Sequence, residues 1–251
     1  MSQKVSNIRQ RIGDTYNYNQ SGTSNVIYFN ATKLIKKGSF LVAMARCEGS
    51  MSTDYILDNN GGKWKGTYFS NGSDGDGNYT TVFLYWSWNH PGGNNSIYLY
   101  LTDTCAQGSS CVVELSGGDD DNPFFDIKTV QGETSVPASY IRAPVNSDSF
   151  GVISKVTSSG TRTVATDVEQ LHTTTYSTFT RKIMREGSSY HSSKLTQGLF
   201  GGLASMIVSF SPPKIISPVS RRWSLSGGGG GVTATSSLAL RRSFPHSIFN
   251  F

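Results

Sequence analysis

The acidic and histidine side chains of this chain could do metal or acid–base chemistry, but their spacing limits both. Asp74, Asp76 and Asn78 in "NGSDGDGNYT" alternate as oxygen ligands do in calcium loops, and Asp119, Asp120 and Asp121 in "GGDDDNP" offer further oxygens. The EF-hand register fails, because Tyr79 stands where a glycine belongs and Tyr85 where the closing glutamate belongs. Two readings stay open: a polar exposed turn, or a Ca²⁺ site built on Asp74, Asp76 and Asn78. No other cofactor is expected. His90, His172, His191 and His246 lie in separate turn-like or polar contexts, and each reads as a surface side chain. Glu114, in "VVELSG", either faces solvent or accepts hydrogen bonds from turn amides. A glycoside-cleaving pair would need a second carboxylate roughly 5–10 Å from it, which spacing alone does not place. There is no G-x-S-x-G, H-E-x-x-H, Walker A or dinucleotide-binding pattern, so no enzyme and no catalytic residue is expected.

Three cysteines are present. Cys105 and Cys111 flank "AQGSS", a loop short enough for a disulfide to close, which leaves Cys47 in "FLVAMARC" over. An odd count with no apolar leader in "MSQKVSNIRQRIG" predicts reduced thiols and folding in a cytoplasm. The five N-x-S/T triplets, beginning at Asn19, Asn30, Asn71, Asn78 and Asn94, are then not expected to be glycosylated.

Aromatic residues offer a binding surface instead. In "TTVFLYWSW" Val82, Leu84, Trp86 and Trp88 fall on one side and Phe83 and Tyr85 on the other, as pleated alternation demands. "HPGGNN" reads as a turn. "SIYLYLTDT" then places Ile97, Leu99 and Leu101 on one side and Tyr98 and Tyr100 on the other, so the two runs predict an antiparallel hairpin. Phe83, Tyr85, Tyr98 and Tyr100 would share its outer face, within reach of one another. That face is either covered by a second sheet or a neighbouring subunit, or it is a platform on which sugar rings stack.

The elements that would position these residues are strands. Composition sets the class: 251 residues, 36% hydrophobic, 12% aromatic and 27 glycines, with Ser, Thr and Asn crowding the spaces between apolar runs. Strands are predicted at "NVIYFNA", "SFLVAMARC", "DYILD", "KWKGTYF", "CVVELSG", "FGVISKV", "TTTYSTFTRKIM" and "ASMIVSFSP", separated by Gly, Asn, Asp and Ser clusters. "TDVEQLH" could make a helical turn or two, but its flanking threonines favour extended chain. Some ten to twelve strands follow, hence an all-β, antiparallel β-sandwich with an extended C-terminal arm. No stretch approaches the roughly 20 apolar residues of a membrane-spanning helix, so no membrane partner is expected.

With the strands in place, "KKGSFLVAMARCEGS", "DNNGGKWKG", "YTTVFLYWSWNHPGGNNSIYLYLT" and "CVVELSGGDDDNPFFD" resemble a jelly-roll or concanavalin-like (lectin-like) β-sandwich domain of bacteriophage structural proteins and bacterial surface proteins. The match rests on Gly38 to Val42, the D-x-x-G-x-x-W turn from Asp58 to Trp64, Trp86, and Val112 to Gly117, with "LASMIVSFSP" as the closing strand. It spans about residues 5 to 211 and marks a fold rather than a reaction. The resemblance implies a virion protein, assembled in the host cytoplasm, such as a capsid decoration, head-fibre or tail-associated subunit. A carbohydrate-binding module of a surface or adhesion protein is the alternative.

The end of the chain is different in kind. Five of the 22 basic residues and none of the 17 acidic ones follow Pro212, so the body is neutral and the tail carries the net charge of +5. A neutral body argues against a nucleic-acid surface. Pro212 and Pro213 stop the last strand, which predicts a domain of residues 1–211, a Pro/Gly-rich linker of residues 212–231 containing Gly227 to Gly231, and a docking arm of residues 232–251. Leu238, Leu240, Phe244, Ile248, Phe249 and Phe251 would fill pockets on a neighbouring subunit, and Arg241 and Arg242 would pair with its carboxylates. The partners this predicts are further copies in a homo-oligomer, other virion proteins, and a glycan if the tyrosine platform forms.

Overall fold

Two apolar runs dictate the architecture, because each is apolar on both of its sides. In Ser39–Glu48, Phe40, Val42 and Met44 alternate with Leu41, Ala43 and Ala45, and all six are buried. In Tyr79–His90, Val82, Leu84 and Trp86 alternate with Phe83, which is fully buried as well. Such strands must be covered above and below. A two-layered sandwich covers its sheets on one side; this protein covers its central sheet on two.

The structure is a computed structural model that describes residues 8–17, 24–30, 33–50, 52–72, 79–93, 96–105, 107–116, 123–132, 135–136, 139–156, 160–185, 188–191, 193–196 and 202–211. Among them are eighteen strands: β1 (Ile8–Asn17), β2 (Ser24–Asn30), β3 (Ser39–Glu48), β4 (Thr53–Asp58), β5 (Trp64–Gly72), β6 (Tyr79–His90), β7 (Ser96–Cys105), β8 (Gln107–Leu115) and β9 (Phe124–Gly132). The second half adds β10 (Ser135–Val136), β11 (Ser139–Arg142), β12 (Ser147–Lys155), β13 (Arg162–Val164), β14 (Glu169–Thr173), β15 (Ser177–Met184), β16 (Ser188–His191), β17 (Ser193–Thr196) and β18 (Leu203–Phe210). The fold is an all-β, antiparallel β-sandwich, as the sequence predicts. The linker at 212–231 and the arm at 232–251 lie outside the described residues.

A central sheet in the order β1-β8-β3-β6-β5 faces a second sheet in the order β14-β15-β12-β18-β9. Between them Val42, Met44, Leu84, Trp86 and Val113 meet Phe150, Val152, Phe179, Met206 and Phe210. On the other side of the central sheet lies an outer sheet in the order β2-β7-β4, and Leu41, Ala43, Phe83 and Val112 there meet Ile27, Phe29, Ile97, Leu99 and Leu101. The second sheet is covered on its far side too, where Ile141 and Ala143 pack with Met184 and Ile207. That far side is rich in buried hydroxyls, and these are bonded: Ser209 Oγ donates to the Arg142 carbonyl at 2.6 Å, and Thr180 Oγ1 to that of Gly151 at 3.3 Å.

These layers correct three expectations. The runs at 79–90 and 96–105 are not a hairpin: β6 pairs with β3 and β5 while β7 pairs with β2 and β4, so "HPGGNN" carries the chain from one layer to the next. "TTTYSTFTRKIM" is two strands, not one. Thr174 Oγ1 accepts the amides of Tyr176 at 3.2 Å and Ser177 at 3.0 Å and turns the chain between β14 and β15. The third correction concerns the thiols. Cys105 is bonded to Cys47, with Cα atoms 5.7 Å apart, and not to Cys111, so two of the three thiols expected to be reduced are oxidised. Alternation explains the choice: Cys47 and Cys105 both face the space between central and outer sheets, whereas Cys111 faces the second sheet.

Each end of the space between the central and second sheets is closed by a buried arginine. Arg46, on the same side of β3 as Val42 and Met44, donates from Nε to Ser154 Oγ at 3.0 Å, from Nη1 to the Gln107 carbonyl at 3.0 Å and from Nη2 to the Lys155 carbonyl at 3.2 Å. Its guanidinium stands 5.0 Å over the Tyr176 ring. Burial lowers its pKa to about 10, against the opposing charges of Glu48 and Tyr176. At the opposite end Arg181 donates from Nε to Asp148 at 2.7 Å. The Arg46 contacts run from β3 and β8 of the central sheet to β12 of the second and fix how the two sheets register, a specification that apolar contact gives less sharply, whereas Arg181 and Asp148 tie β15 to β12 within the second sheet.

Two outcomes follow. Arg46→Ala strands the carbonyls of Gln107 and Lys155 beside a cavity, and a loss of about 3–5 kcal/mol is expected in urea unfolding; an unchanged midpoint would refute the role assigned to Arg46. Cys47–Cys105 closes a loop of sequence separation 58, so reduction should lower stability by about 2–4 kcal/mol. Thiol counting of the unreduced protein should find Cys111 free, and a Cys105–Cys111 peptide in a digest would contradict this pairing.

Candidate functional site

The outer sheet has one covered side and one open side. Strict alternation sends Ile27 and Phe29 of β2, Ile56 of β4, and Ile97 and Leu99 of β7 inward, which leaves Val26, Tyr28, Tyr55, Leu57, Tyr98 and Tyr100 outward. Register sets them in two rows across three strands, Tyr28 opposite Tyr98 opposite Leu57, then Val26 opposite Tyr100 opposite Tyr55. The rings of Tyr28 and Tyr98 meet edge to face with centroids 5.2 Å apart, and those of Tyr55 and Tyr100 stack at 4.4 Å and 19°. Tyr28, Tyr55 and Leu57 remain 40%, 52% and 41% exposed. Partial desolvation first, and then the neighbouring Tyr55, Tyr28 and Tyr98, push the Tyr100 hydroxyl above the usual phenol range.

The four aromatics expected to share one face are therefore divided between two. Phe83 and Tyr85 lie on the side of β6 that the outer sheet covers, so that sheet supplies the cover one of the two expectations called for. Tyr98 and Tyr100 are on the open side, joined by Tyr28 and Tyr55, which sequence reasoning missed. The signal was present in "NVIYFNA" and "DYILD", whose alternation sets Tyr28 against Ile27 and Phe29, and Tyr55 against Ile56.

Beside this face is a cleft of about 650 Å³, between β4 at the edge of the outer sheet and β5 at the edge of the central one. Tyr55, Ile56, Trp64, Tyr85, Trp86 and Phe124 line it, with Thr53, Gly62, Lys65 and Gly66. It opens because the β4–β5 connection crosses between layers, so the two strands diverge. Asp58 shapes that crossing: its Oδ1 accepts the Asn60 amide at 2.8 Å, its carbonyl accepts the Gly61 amide at 3.0 Å, and Gly61 takes φ +74°. Its Oδ2 accepts the Trp64 indole N–H at 3.3 Å and a short hydrogen bond from His90 Nε2. Gly62 has to lack a side chain, because a Cβ there would stand 2.7 Å from His90 Cδ2.

His90 is thus fully buried rather than on the surface. The Asp58–His90 pair resembles an acid–base dyad but is occupied at both ends. Nδ1 of the ring accepts the Gly92 amide at 2.9 Å, which leaves the proton on Nε2 for Asp58 and no lone pair for a substrate. Burial pushes Asp58 up. Hydrogen bonds from His90, the Asn60 amide and Trp64 outweigh it and hold the carboxyl below its ordinary value. Glu114 likewise serves structure: it accepts the Lys36 amide at 2.9 Å and the Ser39 hydroxyl at 2.5 Å, which is the amide-bonding alternative drawn from sequence. Asp74, Asp76, Asn78 and the 119–121 cluster lie outside the described residues, as do Leu238, Leu240, Arg241, Arg242, Phe244, Ile248, Phe249 and Phe251. Among the described residues no group of three or more His, Cys, Asp or Glu is placed to hold a metal ion.

Comparison with known proteins returns no matching family model, no matching curated protein and no matching solved structure.

The depressed Asp58 carboxyl makes stability depend on acid. Unfolded, this group binds a proton more readily than folded, so its contribution is complete above about pH 4 and is lost as pH falls through the lower folded value. Unfolding free energy should therefore fall as pH drops below about 4 and through the lower folded value, and Asp58→Asn should flatten that part of the profile while lowering stability at neutral pH. An equally steep profile in the variant would exclude Asp58 as its source.

Proposed function

We propose that this chain is a non-enzymatic virion structural protein, a phage decoration, head-fibre or tail-associated subunit, that binds further copies of itself through the tyrosine face of its outer sheet and its C-terminal segment. The observation that carries this reading is the open face of Tyr28, Tyr55, Tyr98 and Tyr100 with Leu57. Among the described residues, both sides of the central and second sheets are covered, whereas this side is not. Tyrosines and aliphatics together on an exposed surface are the composition of interface cores. A sheet face is also broad rather than concave, which suits a protein better than a small ligand.

The C-terminal segment supplies complementary chemistry. Leu238, Leu240, Phe244, Ile248 and Phe249 bring apolar anchors, and Arg241 and Arg242 bring guanidinium groups that seat on tyrosine rings. The resemblance of residues 5 to 211 to phage structural domains supports the virion, and so does the Cys47–Cys105 bond, since disulfides persist outside reducing compartments.

Sedimentation velocity of the full chain tests this. Wild type should self-associate, and Tyr55→Ser with Tyr100→Ser should weaken association at least tenfold, about 1.4 kcal/mol. Removal of residues 232–251 should do the same. A wild-type monomer at all concentrations, or association that ignores both changes, refutes the proposal.

A further inference from the structure

We infer that the cleft between β4 and β5 binds an acidic saccharide, one carrying a carboxylate such as a uronate or sialate. The cleft shares Tyr55 with the tyrosine face, whereas Trp86, Phe124 and Lys65 line the cleft and take no part in that face, so Lys65 tests it separately from self-association. Three features select the ligand. Its walls are π surfaces from Tyr55, Trp64, Tyr85, Trp86 and Phe124, and the C–H faces of a sugar ring stack on such surfaces while its hydroxyls stay available. Its volume of about 650 Å³ falls within the range of small-ligand sites.

The polar groups decide which saccharide. Trp86 is 6% exposed, stacks on Phe124 at 5.3 Å and 11°, and its indole N–H has no partner among the described residues. That donor is enclosed in the core rather than open to the cleft, so the choice of ligand falls to the remaining polar group. Among the described residues, Lys65 is the one charged side chain of the lining, and no carboxylate of the lining opposes it. Its ammonium is held 5.2 Å over the Trp88 ring, a placement that leaves its donors for an anion. A single cation suits one carboxylate per sugar; a nucleic-acid strand would call for a row of them. Gly66 lets the Tyr85 ring lie across β5 in the cleft wall, since a Cβ there would stand 2.5 Å from the Leu84 carbonyl oxygen and strike that ring.

The test uses the full chain on an array of uronate- and sialate-bearing oligosaccharides beside their neutral counterparts, with single-stranded oligonucleotides as a third class. Acidic saccharides should bind, with quenching of tryptophan fluorescence, and calorimetry on the best of them should show Lys65→Gln weakening affinity about tenfold while the neutral counterpart is unaffected. Lys65 is exposed, so this variant keeps the fold, which its thermal unfolding checks. No binding to any acidic saccharide, a preference for neutral sugars or oligonucleotides, or affinity indifferent to Lys65→Gln would each overturn the inference. Sedimentation is read separately, so a failure here leaves the self-association result standing.

Discussion

The structure depends on a central sheet that is apolar on both sides. Once Phe40, Val42 and Met44 point one way and Leu41, Ala43 and Ala45 the other, neither side can face water at tolerable cost, and a sheet is needed on each. The outer sheet then inherits the obligation in weaker form. Its three strands carry aliphatic residues on the inner side and tyrosines on the outer, so the stack can end there, with amphipathic rings rather than with bare aliphatics.

Strands were legible in the sequence; neighbours were not. Period-two alternation says which residues of one strand share a side, and on that count Val82, Leu84 and Trp86, and equally Ile97, Leu99 and Leu101, were sorted correctly. It says nothing about whether the next strand lies beside the first or on top of it. Phe83 and Tyr98 look alike in pattern, yet Phe83 packs under the outer sheet while Tyr98 crowns it. A turn such as "HPGGNN" fits a hairpin and a crossing between layers equally well. The disulfide had a readable clue of the same kind. Cys47 extends the row of Leu41, Ala43 and Ala45, and Cys105 that of Ile97, Leu99 and Leu101, so both thiols look into one space, whereas short loop length had favoured Cys111.

The site was legible in part. The D-x-x-G-x-x-W spacing from Asp58 to Trp64 was visible as a pattern, and the structure gives it a physical content: carboxylate, positive-φ glycine and indole close one turn around His90. Nothing near His90 in the sequence announced its burial, because the carboxylate that accepts its Nε2–H is 32 residues earlier and in another layer. Glu114 shows the same limit, bonded to Lys36 and Ser39 from 78 and 75 positions away. Long-range polar closure of this sort is set by which strands stack, and alternation within a strand does not report it.

Layering also explains where open surface is left for the proposed binding. The interior of a stacked sheet is consumed by packing, so functional surface is left at two kinds of place: the outward side of the terminal layer, and the gaps where a connection must step from one layer to the next. The tyrosine face is the first and the β4–β5 cleft is the second. Tyr55 belongs to both, since its ring stacks on Tyr100 and also lines the cleft. A partner seated on the tyrosines would therefore touch the rim of the cleft, because the two surfaces meet at one side chain.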